Sequence, residues 1–352
     1  MRKVTLLDIA RAAGVSKNTV SLALRRDPQI PPRTRAKIEA LAAQMGYQKN
    51  PIVAHLMAQL RAGADSRHKS ALALLNANED RAAFRNHPTI PTYLEGCRRR
   101  AAQTGYSLDE FWLHDPELDG AKLNKILQAR NIRGVLVVGL MNSNHLPGRF
   151  LPTWEEYPCV VTGVRTRNPA LSFACTDHHM LVLRAVENAL RLGYRRPGLV
   201  LDGVIDRLLE HRFTSGFLVA QQQIAAAQRL KPFYAVTEAR SRPDLFEKWF
   251  QKEKPDVILT LYHVVQRWLA GFGLRAPEDV GLIQMEWRAD HGQWAGMHQH
   301  NDIVGEAAVE MVIGMIHNNE RGIPLFPRAT FLGSTWVEGK TVHRRLHRTL
   351  SQ

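Results

Sequence analysis

The chain has 352 residues, 45% of them hydrophobic, and a formal net charge of +14. That length supports a sizeable core and more than one domain, and the sequence contains no apolar run of the roughly 18 residues a membrane span needs. Cys97, Cys159 and Cys175 are scattered and form no CxxC pair, which predicts a reduced cytoplasmic protein without a zinc site.

The first residues, "MRKVTLLDIARAAG", are interrupted early by Asp8 and Arg11, so no signal peptide is expected. Positive charge is concentrated nearby. Residues 1–62 carry eleven Lys and Arg against three Asp and Glu, a balance that suits a polyanionic partner. Residues 5–24, "TLLDIARAAGVSKNTVSLAL", read as two short helices. Thr5 can cap the first, with Asp8 at the capping-box position. Leu6, Ile9, Ala10 and Ala13 then share an apolar face, and Gly14 supplies the positive φ that ends the helix. Ser16 can cap the second helix. Val20, Ala23 and Leu24 fall on one side of it; Asn18, Ser21 and Leu22 fall on the other, with Lys17 at the edge. A third helix is expected from Pro32, a favourable first-turn residue, burying Ile38, Leu41, Ala42 and Met45 before Gly46. Three small helices with one core, one polar outer face and a basic surround make a helix-turn-helix whose second helix enters a major groove.

"VTLLDIARAAGVSKNTVSLAL" and "RTRAKIEALAAQMGY" resemble the DNA-binding head of the lactose-repressor (LacI/GalR) family of bacterial transcription regulators. The resemblance implies that Lys17, Asn18 and Leu22 read base edges. It also implies that Thr5, Ser16, Thr19, Ser21 and Asn50 contact phosphates. Lysine suits guanine and asparagine suits adenine. Leu22 stands where arginine is often found and offers only apolar contact, for instance with a thymine methyl.

"NPIVAHLMAQLRAG" follows from Asn50. Asn50 is a good cap, Pro51 a good first helical residue, and Ile52, Leu56 and Leu60 lie at i, i+4 and i+8. So short a helix is marginal alone. The family resemblance implies that this hinge folds when two subunits meet on DNA, and that a leucine from each wedges into the minor groove, Leu56 here. Lys49 stands where the family usually has proline, and Val53 replaces a usual alanine, so Met57 is a second wedge candidate.

From residue 70 strands and helices alternate. "ALALL" (71–75), "GVLVVG" (134–139), "CVVTGV" (159–164), "GLVLDG" (198–203), "DVILTL" (256–261) and "DVGLIQM" (279–285) read as buried parallel strands. Amphipathic helices over 92–104 and 178–192 are closed by Gly105-Tyr106 and Gly193-Tyr194. Two doubly wound lobes follow. "EGCRRRAAQTGYSL", "ILQARNIRGVLVVGL", "ALRLGYRRPGLVLDG", "RAPEDVGLIQM" and "GMHQHNDIVGEAAVEMVIGMI" resemble the family's effector domain, which is like a periplasmic sugar-binding protein with ligand between its lobes. The expected fold is an N-terminal all-α helix-turn-helix head plus an α/β two-lobed periplasmic-binding-protein-like domain with doubly wound parallel sheets. Residues 1–47 form the head, 48–67 the hinge helix and linker, 68–340 the effector-binding and dimerisation domain, and 341–352 a basic tail. "HRRLHRTLSQ" has no leucine heptad, so no tetramerising coiled coil is expected.

The cleft positions depart from the family pattern. Phe213 in "HRFTSGF" stands where an arginine is usual, with Arg212 one position earlier. Tyr262-His263 replace an Asn-Asp pair, and Glu286, followed by Trp287, aligns with an aspartate. Phe213, Tyr262, Glu286 and Trp287 are therefore the effector-site candidates. Their rings could stack on a sugar or a base, and the carboxylate could accept hydroxyl or amine hydrogen bonds. A cleft filled by these aromatics as core is the alternative.

No GxGxxG follows a strand, and neither a phosphate-binding loop nor a GxSxG elbow is present. His178-His179 and "HGQWAGMHQHND" (291–302) lack HExxH spacing. The sequence predicts a cytoplasmic homodimeric repressor of a palindromic operator in double-stranded DNA. A small sugar or sugar-like effector would tune it, with no cofactor, metal or catalytic residue. A cytoplasmic small-molecule binding protein or an enzyme on the same scaffold is the alternative.

Overall fold

The computed structural model describes residues 4–24, 27, 29–47 and 70–345. The expected hinge, with Asn50, Leu56 and Met57, lies outside the described residues.

The head consists of α1 (Leu6–Ala13), α2 (Lys17–Ala23) and α3 (Pro32–Gln44). Local chemistry sets each boundary. Thr5 N–H donates to Asp8 Oδ2 at 2.9 Å and Asp8 N–H to Thr5 Oγ1 at 3.4 Å, completing the capping box of α1. Gly14, at φ 69°, ends α1 in the left-handed region that a side chain would disfavour. Ser16 Oγ accepts from Thr19 N–H at 3.0 Å and starts α2. Ile9, Val20 and Ile38 form the centre of the core, ringed by Ala10, Ala13, Ala23, Ile30 and Ala42. Arg35 ties the α2–α3 connection by donating to the carbonyls of Asp27 and Ile30, both at 3.1 Å.

Residues 70–345 form two sheets. Lobe 1 has the order β10-β5-β4-β3-β1-β2, from β1 (Ser70–Asn76), β2 (Tyr106–Trp112), β3 (Ile132–Val138), β4 (Cys159–Thr162), β5 (Ser172–Thr176) and β10 (Ala329–Leu332). All its neighbours are parallel. Lobe 2 has the order β11-β9-β8-β7-β6, from β6 (Pro197–Val200), β7 (Val257–Thr260), β8 (Gly281–Gln284), β9 (Ala295–His298) and β11 (Thr335–Val337), with β11 alone antiparallel. β3, β4, β6, β7 and β8 are almost wholly buried, because each sheet is covered on both faces. The six strand segments read from the sequence all appear, with β1 and β3 longer than read and β4, β6, β7 and β8 shorter.

Four helices matter for the cleft: α4 (Ile90–Gln103), α5 (His178–Arg191), α6 (Arg212–Ala220) and α7 (Asn301–His317). α4 and α7 cover one face of the lobe 1 sheet and share a core through Tyr93, Leu94, Cys97, Val304, Ala308 and Val309. They touch backbone to backbone. A Cβ on Gly305 would fall 2.1 Å from the Tyr93 carbonyl oxygen. The chain passes between lobes three times: from β5 into α5, from β9 into α7, and from β10 into β11.

At the start of the stretch read as a basic tail, Thr341 and Val342 are buried in lobe 2, Thr341 Oγ1 donates to the Leu282 carbonyl at 2.7 Å, and Arg345 N–H donates to the Leu192 carbonyl. No helix among the described residues is long and apolar enough to cross a membrane.

Candidate nucleic-acid interface and interlobe cleft

α2 is held by its buried side, Val20 and Ala23, against α1 and α3. Its first turn is left open: Ser16, Lys17 and Asn18 are exposed. Thr19, Ser21 and Leu22 are half-buried, and Leu22 packs on the head core. Leu22 therefore presents only part of its side chain outward, whereas helical spacing alone sets it on the outer face. The hydroxyls of Ser16 and Thr19 lie 2.8 Å apart, and Thr5 Oγ1 donates to Asp8 Oδ2 at 2.6 Å. The polar side chains at the start of α1 and α2 are thus pre-set by the caps that define those helices.

Several contacts tie the lobes and their crossings together. Thr176 Oγ1, at the end of β5, donates to the Gln299 carbonyl between β9 and α7 at 3.1 Å. Glu210 of lobe 2 faces Arg165 and Arg167 of lobe 1 at 3.5 and 3.7 Å. Glu210 and His211 both have positive φ, 54° and 59°, so this contact is made from a strained turn.

The sequence-derived cleft residues separate into two groups. Phe213 is 1% exposed, inside the lobe 2 core, with its ring 4.8 Å from that of His178. Arg212, one position earlier, reaches the lobe boundary instead, its guanidinium 4.3 Å over the Phe331 ring. Tyr262 packs beside the second lobe 2 core, and its hydroxyl accepts from Asp202 N–H at 3.2 Å. Neither Phe213 nor Tyr262 lines the interlobe cavity. Glu286 and Trp287 do, together with Thr92, Arg288, His298 and Asn301, around a volume of about 280 Å³. Glu286 accepts from Asn301 Nδ2 at 3.3 Å and from the Thr89 side chain. Burial pushes its carboxyl above the usual carboxylate range, with Arg288 opposing the shift. Trp287 donates to the Trp294 carbonyl at 3.0 Å and lies 5.5 Å from the His298 ring.

Arg288 escaped sequence reasoning. It is four residues past the end of β8, where nothing in the spacing distinguishes it from a surface arginine. Its side chain is 27% exposed, its nearest carboxylate is Glu286 at 3.7 Å, and its Nε is buried without a partner. Among the described residues no cluster of three or more His, Cys, Asp or Glu side chains could hold a metal ion. His298 and His300 contact each other through Nδ1 at 2.9 Å, and His263 stacks on His291 at 3.9 Å.

A three-helix head with an exposed capped recognition turn, joined in sequence to a two-lobed α/β domain, is the architecture of a DNA-binding regulator. Residues 5–50 match the family described as "Bacterial regulatory proteins, lacI family". The chain is 24% identical over 354 residues to the HTH-type transcriptional repressor PurR of Klebsiella pneumoniae (strain 342), covering 92% of this chain and 94% of that one. Its fold is similar to that of the transcriptional regulator CelR in complex with cellobiose, at TM-score 0.58 and 18% identity, over 96% of this chain and 100% of the other. It is likewise similar to the lac repressor dimer bound to operator and the anti-inducer ONPF, at TM-score 0.55 and 18% identity, over 97% and 100%. Residues 5–50 thus match the DNA-binding head of the lacI family, and the chain is a DNA-binding transcription regulator.

Proposed function

We propose that the chain is a cytoplasmic homodimeric repressor of a palindromic operator and has no enzymatic activity. Lys17 and Asn18 of each α2 read base edges in the major groove. Thr5, Ser16, Thr19, Ser21 and Asn50 take the phosphates on either side, and Leu22 adds an apolar edge. The observation that carries this reading is the first turn of α2: capped by Ser16, fixed from behind by Val20, and exposed at Lys17 and Asn18. In the hinge, Leu56 or Met57 supplies the minor-groove wedge. The lac repressor dimer bound to operator and anti-inducer supports both the dimer and the coupling of cleft to DNA. The CelR–cellobiose complex supports a small molecule between the lobes. In this chain such a molecule meets Glu286 and Trp287, while Phe213 and Tyr262 act behind the cleft wall by packing lobe 2. Residues 1–47 serve as head, 48–67 as hinge, and the following two-lobed domain as the effector and dimer module.

The test is selection of binding sites from randomised DNA. The wild type should yield a two-fold symmetric site. Asn18→Ala should weaken specific binding by about 1–3 kcal/mol and relax the same position in both half-sites. An unchanged preference would refute the base-reading role.

A further inference from the structure

The cavity between the lobes contains one group whose chemistry is unfinished. Arg288 carries five N–H donors. Among the described residues it donates no hydrogen bond, and its sole ion pair, to Glu286, is long at 3.7 Å. Buried polar groups in native proteins are almost always satisfied, and each exception calls for a reason. Nε is buried without a partner, and the side chain as a whole is mostly buried. Arg288 also lines the 280 Å³ cavity, so an acceptor that enters the cavity can complete it.

The planar guanidinium fork matches a carboxylate, two N–H groups to two oxygens. The walls favour a single negative charge. α4 and α7 both begin at the cavity, bordering it with Thr92 and Asn301, and helix N-termini carry partial positive charge. Asp290 and Glu286 also line it, which disfavours a dianion such as phosphate. The volume lies at the small end for ligand pockets. Trp287 offers one apolar surface, and Thr92 and His298 offer polar edges. Resting on the reading of the cleft as the effector site, we propose that the effector is a small monocarboxylic acid whose anion is held by Arg288.

The experiment uses the full chain with matched probes: glycerate, gluconate and benzoate, each beside its neutral amide, and glucose as a neutral polyol. Melting temperature and calorimetric binding are read for wild type, Arg288→Gln and Arg288→Lys. At least one acid should bind the wild type while its amide binds more than tenfold more weakly. Arg288→Gln should lose that acid by more than tenfold, and Arg288→Lys should fall between. Without ligand, Arg288→Gln should melt close to the wild-type temperature, since only the long 3.7 Å pair to Glu286 is lost. A marked fall there would mean that Arg288 serves the fold, and would overturn the proposal. Neutral probes binding as well as acids, unaffected by Arg288→Gln, would overturn the acid assignment and leave the effector cleft standing. No binding by any probe would overturn both.

Discussion

Alanine at Gly305 tests how closely α4 and α7 must approach. In a helix interior, Gly→Ala ordinarily favours the folded state by about 0.5–1 kcal/mol. Gly314, nine residues later in α7, meets that rule: nothing lies within 4 Å of an added Cβ. Gly314→Ala should therefore stabilise by about that amount. Gly305 is different. Its Cβ would sit 2.1 Å from the Tyr93 carbonyl oxygen and 3.0 Å from Cys97 N, both backbone atoms that cannot rotate away. Relief requires α4 and α7 to part by about 1 Å, which loosens the seam of Val304, Ala308 and Val309 against Tyr93 and Leu94. Overpacking of this kind costs about 1–3 kcal/mol, which outweighs the gain in helix propensity. The net expectation is a loss of about 1–2 kcal/mol, a fall of several degrees in melting temperature. Circular dichroism of the two single variants reads the opposite signs directly. A Gly305→Ala protein as stable as Gly314→Ala would refute the close-approach reasoning.

Leu56→Ala should leave dimerisation and nonspecific DNA binding intact while removing operator bending, read by circular-permutation gel shift. If Leu56→Ala bends DNA normally and Met57→Ala does not, Met57 is the wedge; normal bending by both variants would reject intercalation. Burial, with Arg212 adding, pulls the His178 imidazole down to about 3 from an ordinary 6.5. The folded value is the lower one, so this contribution to stability is present above pH 6.5 and is lost as pH falls toward 3, by up to about 1.4 kcal/mol per pH unit. His178→Gln should flatten the decline in melting temperature between pH 6 and pH 4, and an unaltered slope would rule His178 out as a main source of acid lability.

The head was the most legible part of the sequence because its signals are local. Thr5, Asp8, Gly14 and Ser16 act within four residues of their partners, so their spacing is their mechanism. Leu22 shows the limit of that logic: helical angle puts it outside, yet the neighbouring helices reach far enough to half-bury it. The buried strands were legible through continuous apolar runs such as β1 and β3. β2 was not, since it is half-buried nearly throughout and carries Asp109 and Glu110 in its middle. In the cleft, alignment with the family picked Phe213, but the turn at Glu210 and His211 sets the helix so that Arg212 meets lobe 1 and Phe213 turns into the core. Arg288 was invisible for another reason. What marks it is the absence of partners in space, and no spacing rule reports an absence.

The three passages between lobes carry a consequence for biosynthesis. Lobe 1 is assembled from residues on both sides of lobe 2, and the last two strands, β10 and β11, are divided between the sheets. A nascent chain that has emerged only to residue 328 therefore offers two sheets, each with an unfilled edge beside β5 or β9. Such edges are templates for pairing with another chain. The head, with all its described contacts inside residues 4–47, can fold as soon as it leaves the ribosome, whereas the two lobes must wait for each other. Ribosome-stalled chains exposed only to residue 328 and those exposed beyond β11 should differ sharply in protease resistance across both lobes at once, rather than in one lobe first.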